Sequence, residues 1–104
     1  MFSEVFQLAE KISGETDGAF DITVAPMVNA WGFGFKTGNP PTRQTIDSLR
    51  AIVGFHTVSL QDGYVIKKNP KTMLDCSAIA KGYGTDVVAR FLKKKGVQNF
   101  MVEI

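Results

Sequence analysis

The residues best equipped for chemistry lie between Asp75 and Asp86. The run Asp75-Cys-Ser-Ala-Ile-Ala-Lys-Gly-Tyr-Gly-Thr-Asp86 places a carboxylate, small residues, a lysine and two glycines in what reads as one loop-to-helix transition. Glycine lets backbone approach a ligand closely, and a helix start presents N–H groups at the positive end of its dipole. Lys81 would add a compact positive charge for a phosphate. The Gly-Lys-Ser/Thr order of a P-loop is absent. A tight turn feeding a helix, with Lys81 in solvent, accounts for the same residues.

A second segment, Gly18 to Phe35, mixes glycine, large aromatics and single polar residues without a lasting period. Phe20, Trp31, Phe33 and Phe35 could line a flat apolar wall for an aromatic ring. Small cores are built from the same residues, and a core role is the plainer expectation. Asp21 reads as the N-cap of a short helix near Val24–Ala30, with a ligand contact as the alternative. His56 has no second histidine or cysteine near it in sequence and reads as a strand-edge residue. Cys76, the single cysteine, excludes an internal disulfide and reads as a small buried side chain. Lys93-Lys94-Lys95 reads as a solvated helix end.

The elements that must position these residues follow from apolar spacing. Phe2, Val5, Phe6, Ala9 and Ile12 predict a helix over Ser3–Ser13, with Gly14 as its stop. Lys36 to Pro41 is a loop. Pro41 and Thr42 open a second helix, Thr42–Val53, closed by Gly54. His56 to Lys68 predicts a hairpin, because Asp62-Gly63 suits a type I′ turn between β-branched runs. Met73-Leu74-Asp75 predicts a short strand. Val87, Val88, Phe91 and Leu92 mark one face of a third helix, Gly82–Lys95, capped by Gly96. Val97–Ile104 predicts a strand, and a chain that stops inside a strand is expected to be cut from something longer. Phe6, Leu49, Val53, Val65, Ile79, Val88, Phe91 and Val102 are the expected core. The fold class is α+β, three main helices packed on an antiparallel sheet.

Composition bounds the function. At 104 residues the chain is one small domain or a piece of a larger one. Hydrophobic residues make up 44% and charged residues 21%, an ordinary globular balance that argues against disorder. Twelve Lys and Arg against 10 Asp and Glu leave a net charge of +2, too even to imply nucleic-acid binding. No apolar run reaches the roughly 18–20 residues of a membrane span. No signal peptide opens the sequence, so it is expected to be cytosolic, a trimmed mature protein, or a piece of a longer one.

Two stretches carry a more specific message. Gly18-Ala-Phe-Asp-Ile-Thr-Val-Ala-Pro-Met-Val-Asn-Ala-Trp-Gly-Phe-Gly-Phe35 and Leu74-Asp-Cys-Ser-Ala-Ile-Ala-Lys-Gly-Tyr-Gly-Thr-Asp86 resemble signatures of the ApbE family, the FAD:protein FMN transferases formerly called thiamine-biosynthesis lipoproteins. The closing Val97-Gln-Asn-Phe-Met-Val-Glu-Ile104 is similar to the strand that leads into that family's Gly-Gly turn. Ala25 departs from the pattern, standing where a glycine is common. The resemblance implies that residues 1–104 are the central portion of an ApbE-like catalytic domain, incomplete at both ends. It further implies transfer of FMN from FAD onto a threonine hydroxyl of an acceptor protein, with AMP leaving and magnesium as the cation. Carried over residue by residue, Lys81 would contact FAD and Asp75 would sit at the nucleotide. Ala19, Phe20 and Asp21 would line its pocket, and the backbone carbonyl of Ala78 would be a metal ligand. The family's remaining metal ligands, an aspartate and a threonine, would lie beyond residue 104, and its amino-terminal flavin contacts before residue 1. The chain alone is therefore expected to be inactive. The parent is expected to be lipid-anchored outside the cytoplasm, with its acceptor and oligomeric state left open. A flavin- or nucleotide-binding module without transfer activity, or a structural piece with idle site residues, are the competing expectations.

Overall fold

The computed structural model describes residues 1–33 and 38–104, so the expectations for Phe35 and for the start of the Lys36–Pro41 loop lie outside the described residues. Its elements are α1 (Phe2–Glu15), a 3-10 turn (Ile22–Val24), α2 (Ala25–Ala30) and α3 (Arg43–Arg50). A second 3-10 turn (Phe55–Thr57), β1 (Val58–Gln61), β2 (Tyr64–Lys67) and α4 (Ser77–Lys94) follow. This is the expected α+β class.

α1 buries Val5, Phe6, Ala9 and Ser13 along one stripe. Phe6 is fully buried, and its ring meets Phe55 edge-on with centroids 5.3 Å apart. The helix runs through Gly14. The chain turns away after Thr16, at Asp17 and Gly18, both with positive φ. α3 starts where expected, because the Thr42 hydroxyl accepts the Thr45 N–H at 3.2 Å. It ends at Arg50, short of the expected Val53, so Gly54 is not its cap.

The hairpin is as the turn pair predicts. Val58 faces Lys67 and Leu60 faces Val65. Asp62 and Gly63 sit at φ 49° and 79°, the double left-handed turn that matches strand twist. Lys67 then donates to the carbonyls of Pro70 and Thr72, both at 2.9 Å, and the Thr72 hydroxyl donates to Ile52 O at 2.9 Å. These bonds fold the segment after the hairpin back over the loop that precedes it.

α4 corrects one expectation. It begins at Ser77, not near Gly82, so Lys81, Gly82 and Gly84 lie inside a helix of 18 residues. Two interior glycines cost about 1 kcal/mol each, too little to delay a helix whose first turn is fixed by Asp75 and by the core residue Ile79. The helix closes in a Schellman motif. Val97 N–H reaches Leu92 O, Gly96 N–H reaches Lys93 O, and Gly96 has φ 83°. Tyr83 of α4 donates its hydroxyl to the Glu4 carboxylate of α1. Arg90 stands 3.9 Å from the same carboxylate and 5.4 Å from the Tyr83 ring.

The core is Val5, Phe6, Ala9, Ile22, Val58 and Ile79, with Phe20, Phe55, Leu60, Val65 and Leu74 among the half-buried residues packed on it. Of the expected core, Phe6 and Ile79 are central and Val65 packs against them. Leu49, Val53 and Val102 are only half-buried. Val88 and Phe91 are a plain correction, being 46% and 56% exposed. α1 lies against the Ile79 and Tyr83 side of α4, and no described element covers the side that carries Val88 and Phe91. Trp31 and Phe33 are exposed as well, against the core expectation. Among the described residues β1 and β2 form the sheet. Neither Met73–Asp75 nor Val97–Ile104 is a strand there, because an extended segment without a partner ladder does not make one.

Candidate functional site

Two Asp-x-Ser/Thr sequences build the site. Asp21 sits extended before the first 3-10 turn, and its Oδ1 accepts the Thr23 N–H at 2.8 Å and the Thr23 hydroxyl at 2.7 Å. This is the expected N-cap, placed on the 3-10 turn that leads into α2. Asp75 repeats the device at the start of α4, where its Oδ1 accepts the Ser77 N–H at 2.8 Å. Such turns arise because a short carboxylate side chain reaches a backbone N–H two residues on. The Asp75 N–H donates to Ile22 O at 2.7 Å, so the two turns are stitched together across more than fifty residues of sequence.

The stitched turns enclose a cavity of about 320 Å³. Ala19, Phe20, Asp21, Asp75 and Ala78 all line it, with Ile22, Val24, Val28 and Ser77. Five of the six residues singled out from the sequence therefore meet at one place. Lys81, the sixth, does not line the cavity. It is exposed in the second turn of α4, three residues after Ala78 and four after Ser77, on the same side of the helix. A neighbouring cavity of about 450 Å³ shares Val28, Asp75 and Ser77 and adds Ala25, Asn29, Phe33, Met73, Leu74 and Cys76. The Asp75 turn thus forms the wall between two hollows, each combining apolar surface with a carboxylate.

The charges fit a cation beside an anionic ligand. Hydrogen bonds from Ser77 hold the Asp75 carboxyl below its usual range, with a small opposing push from desolvation, so it is ionised at neutral pH. Asp21 and Asp75 together would repel a bare diphosphate. Two carboxylates and a backbone carbonyl at Ala78 are the hard oxygen donors that magnesium prefers, yet fewer than its octahedral shell demands. Among the described residues no cluster of three or more His, Cys, Asp or Glu gathers to hold a metal. These residues fit a share of a magnesium site, completed by ligand oxygens, water or further protein groups.

Cys76 precedes α4 and is half-buried rather than buried. Burial and the neighbouring Asp75 charge push its thiol up, so it remains protonated and a poor nucleophile. His56 lies in the second 3-10 turn, exposed, beside a shallow depression with Glu10 and Asp17 and away from the cavity. The residues that sequence reasoning overlooked are Thr23 and Ser77. Their signal was available in the repeated spacing of an aspartate two residues before a hydroxyl residue.

A sequence description of the ApbE family matches residues 1–104 in full. The FAD:protein FMN transferase of Vibrio cholerae is 41% identical over 102 residues, covering 96% of this chain and 30% of the relative. That of Haemophilus influenzae is 38% identical over 109 residues, covering 99% and 32%. The crystal structure of the Pseudomonas stutzeri flavinyl transferase ApbE, in its apo form, superposes with a TM-score of 0.94 at 36% identity, covering 100% of this chain and 35% of that one. The Vibrio cholerae flavin transferase ApbE superposes with a TM-score of 0.89, covering 97% and 33%. The chain thus spans about a third of the length of these proteins.

Proposed function

The chain belongs to the ApbE family, and from that premise we propose that the complete protein moves the FMN half of FAD onto a threonine hydroxyl of an acceptor protein, with AMP leaving. The observation that carries this reading is the convergence of Ala19, Phe20, Asp21, Asp75 and Ala78 on one cavity from two distant segments of sequence. In the reaction the acceptor oxygen bonds to the phosphorus of the FMN half. The bond from that phosphorus to the bridging oxygen breaks, and AMP departs with that oxygen while the hydroxyl proton is lost. Such a transfer needs positioning and charge neutralisation more than covalent help from the protein.

The chain's residues suit those tasks. Ala19 and Phe20 supply apolar wall for the nucleotide, and the tethered Asp21 and Asp75 fix polar groups or cation oxygens at its rim. Lys81, one turn along α4, would reach a phosphate oxygen as a point charge. The Ala78 carbonyl would join Asp75 in facing a magnesium ion, which when bound would screen the diphosphate from the two carboxylates. We place the parent outside the cytoplasm on a lipid anchor, by the same family reading.

The test mixes the complete protein with FAD, magnesium and a threonine-bearing acceptor, and follows covalent flavin on the acceptor together with AMP release. Both signals are expected. FAD binding without AMP would turn the reading to a flavin-binding module, and the absence of binding would refute it.

A further inference from the structure

We propose that Thr23 is a positioning residue, whose hydroxyl ties the Asp21 carboxylate to the backbone of Gly54 and so fixes it at the cavity. The inference rests on the transferase reading above and assigns a role to a side chain outside the set carried over from the family.

Thr23 is fully buried, with relative exposure of 0%. A buried hydroxyl is costly unless paired, and here it is paired twice. It lies 2.7 Å from Asp21 Oδ1 and 2.6 Å from the Gly54 nitrogen. The proton positions follow from the chemistry of the partners. A backbone N–H can only donate and an ionised carboxylate can only accept, so Gly54 donates to the hydroxyl and the hydroxyl donates to Asp21. Chained bonds of this kind polarise and strengthen one another.

The hydroxyl is not needed for the turn itself. Any residue at position 23, proline aside, would give Asp21 its backbone N–H at 2.8 Å. What threonine adds is a connection to a segment 31 residues away. That segment is itself held, because the Thr57 N–H and hydroxyl both donate to Gly54 O, at 2.9 Å and 2.6 Å. Both donors from Thr23 land on the same Asp21 oxygen. Asp21 is thereby held through Oδ1 at the edge of the cavity it lines. The start of the hairpin thus sets the orientation of a site carboxylate.

The test measures FAD affinity in the complete protein for Thr23→Val, Thr23→Ser, Asp21→Ala and the double variant Asp21→Ala/Thr23→Val. Thr23→Val is expected to weaken binding roughly tenfold, the scale of one charge-assisted hydrogen bond. Thr23→Ser keeps the hydroxyl and is expected to stay within about twofold of the parent. The double variant is expected to bind no more weakly than Asp21→Ala, since Thr23 acts through Asp21. Should Thr23→Val not fold, Thr23→Ala, which admits water at the Gly54 N–H, carries the same expectation. Parent-like binding by the hydroxyl-less variant, failure of serine to rescue, or losses that simply add in the double variant would overturn the assignment. A parent that binds no FAD at all would overturn the transferase reading, and the inference with it.

Discussion

Replacing Gly54 by alanine tests the joint between the hairpin and the site. Gly54 sits at φ 131° and ψ 131°, a backbone conformation that side chains rarely adopt. A Cβ built there would stand 2.5 Å from His56 Cε1 and 2.7 Å from Nδ1. His56 is exposed, so its ring can swing aside and the collision is relievable. The backbone strain is not relievable without cost. Rotating Gly54 out of its conformation would break its 2.6 Å bond to Thr23 and loosen the two Thr57 bonds to its carbonyl. Strain of about 1–3 kcal/mol, or about 1 kcal/mol for each bond lost, puts the destabilisation at about 1–3 kcal/mol. Urea denaturation of Gly54→Ala, His56→Ala and the double variant measures it as a lower midpoint at unchanged slope. His56→Ala alone should stay within about 0.5 kcal/mol of the parent. The double variant should recover only the collision and remain destabilised by at least about 1 kcal/mol. A neutral Gly54→Ala, or full rescue by removing the imidazole, would show that the positive φ carries no strain and would refute the reasoning.

Three further outcomes are expected. Phe6→Ala removes a fully buried ring from the centre of the core and should cost about 3–5 kcal/mol in a denaturation experiment, where a loss under 1 kcal/mol would displace Phe6 from that role. In the complete protein, Lys81→Ala should weaken FAD binding by about 1.5–3 kcal/mol without lowering the melting temperature, and an unchanged affinity would remove Lys81 from the site. Tyr83→Phe should flatten the pH dependence of stability at both ends. The Tyr83 hydrogen bond lowers the Glu4 pKa, so its contribution is full above the ordinary carboxylate value and lost as pH falls through the lowered one. The same bond raises the Tyr83 pKa, so that contribution is present below pH ~10 and lost as pH rises through the raised value. Melting curves across pH on both proteins decide it, and parallel profiles would count against the Tyr83–Glu4 hydrogen bond.

What could be read from the sequence was what is local. Asp62-Gly63 specifies its turn through the backbone preferences of two residues, and the hairpin followed. Asp21 specifies its cap in the same way, and Thr42 begins α3 with its own hydroxyl. Gly96 closes α4 as expected, but three other glycine signals misled. Gly14 and Gly82 lie inside helices, and Gly54 caps the turn Phe55–Thr57 and not α3, because a glycine states which conformations are permitted and not which is taken. The site was legible as a list of residues but not as a place. The Asp75 N–H to Ile22 O bond and the shared core packing of Ile22 and Ile79 bring Ala19, Phe20 and Asp21 beside Asp75 and Ala78, and no spacing rule connects those stretches.

Val88 and Phe91 were misplaced for one reason. Periodicity marks Val87, Val88 and Phe91 as an apolar stripe, and the stripe is present on α4. What periodicity cannot name is the element lying on it. The chain exposes 7786 Å², where a compact monomer of this size exposes roughly 5,800 Å². Its radius of gyration is 16.8 Å against about 13 Å for a compact chain of this length. The surplus surface includes the helix face with Val88 and Phe91 and the extended segment with Met101 and Ile104, all of them exposed. The chain also spans only about a third of its relatives. The residues at the cavity depend on none of that surplus. Asp21, Thr23 and Gly54 hold one another, and Asp75 holds to Ile22, through short hydrogen bonds within these 104 residues, so the site's geometry is set there while much of the apolar face of α4 remains uncovered.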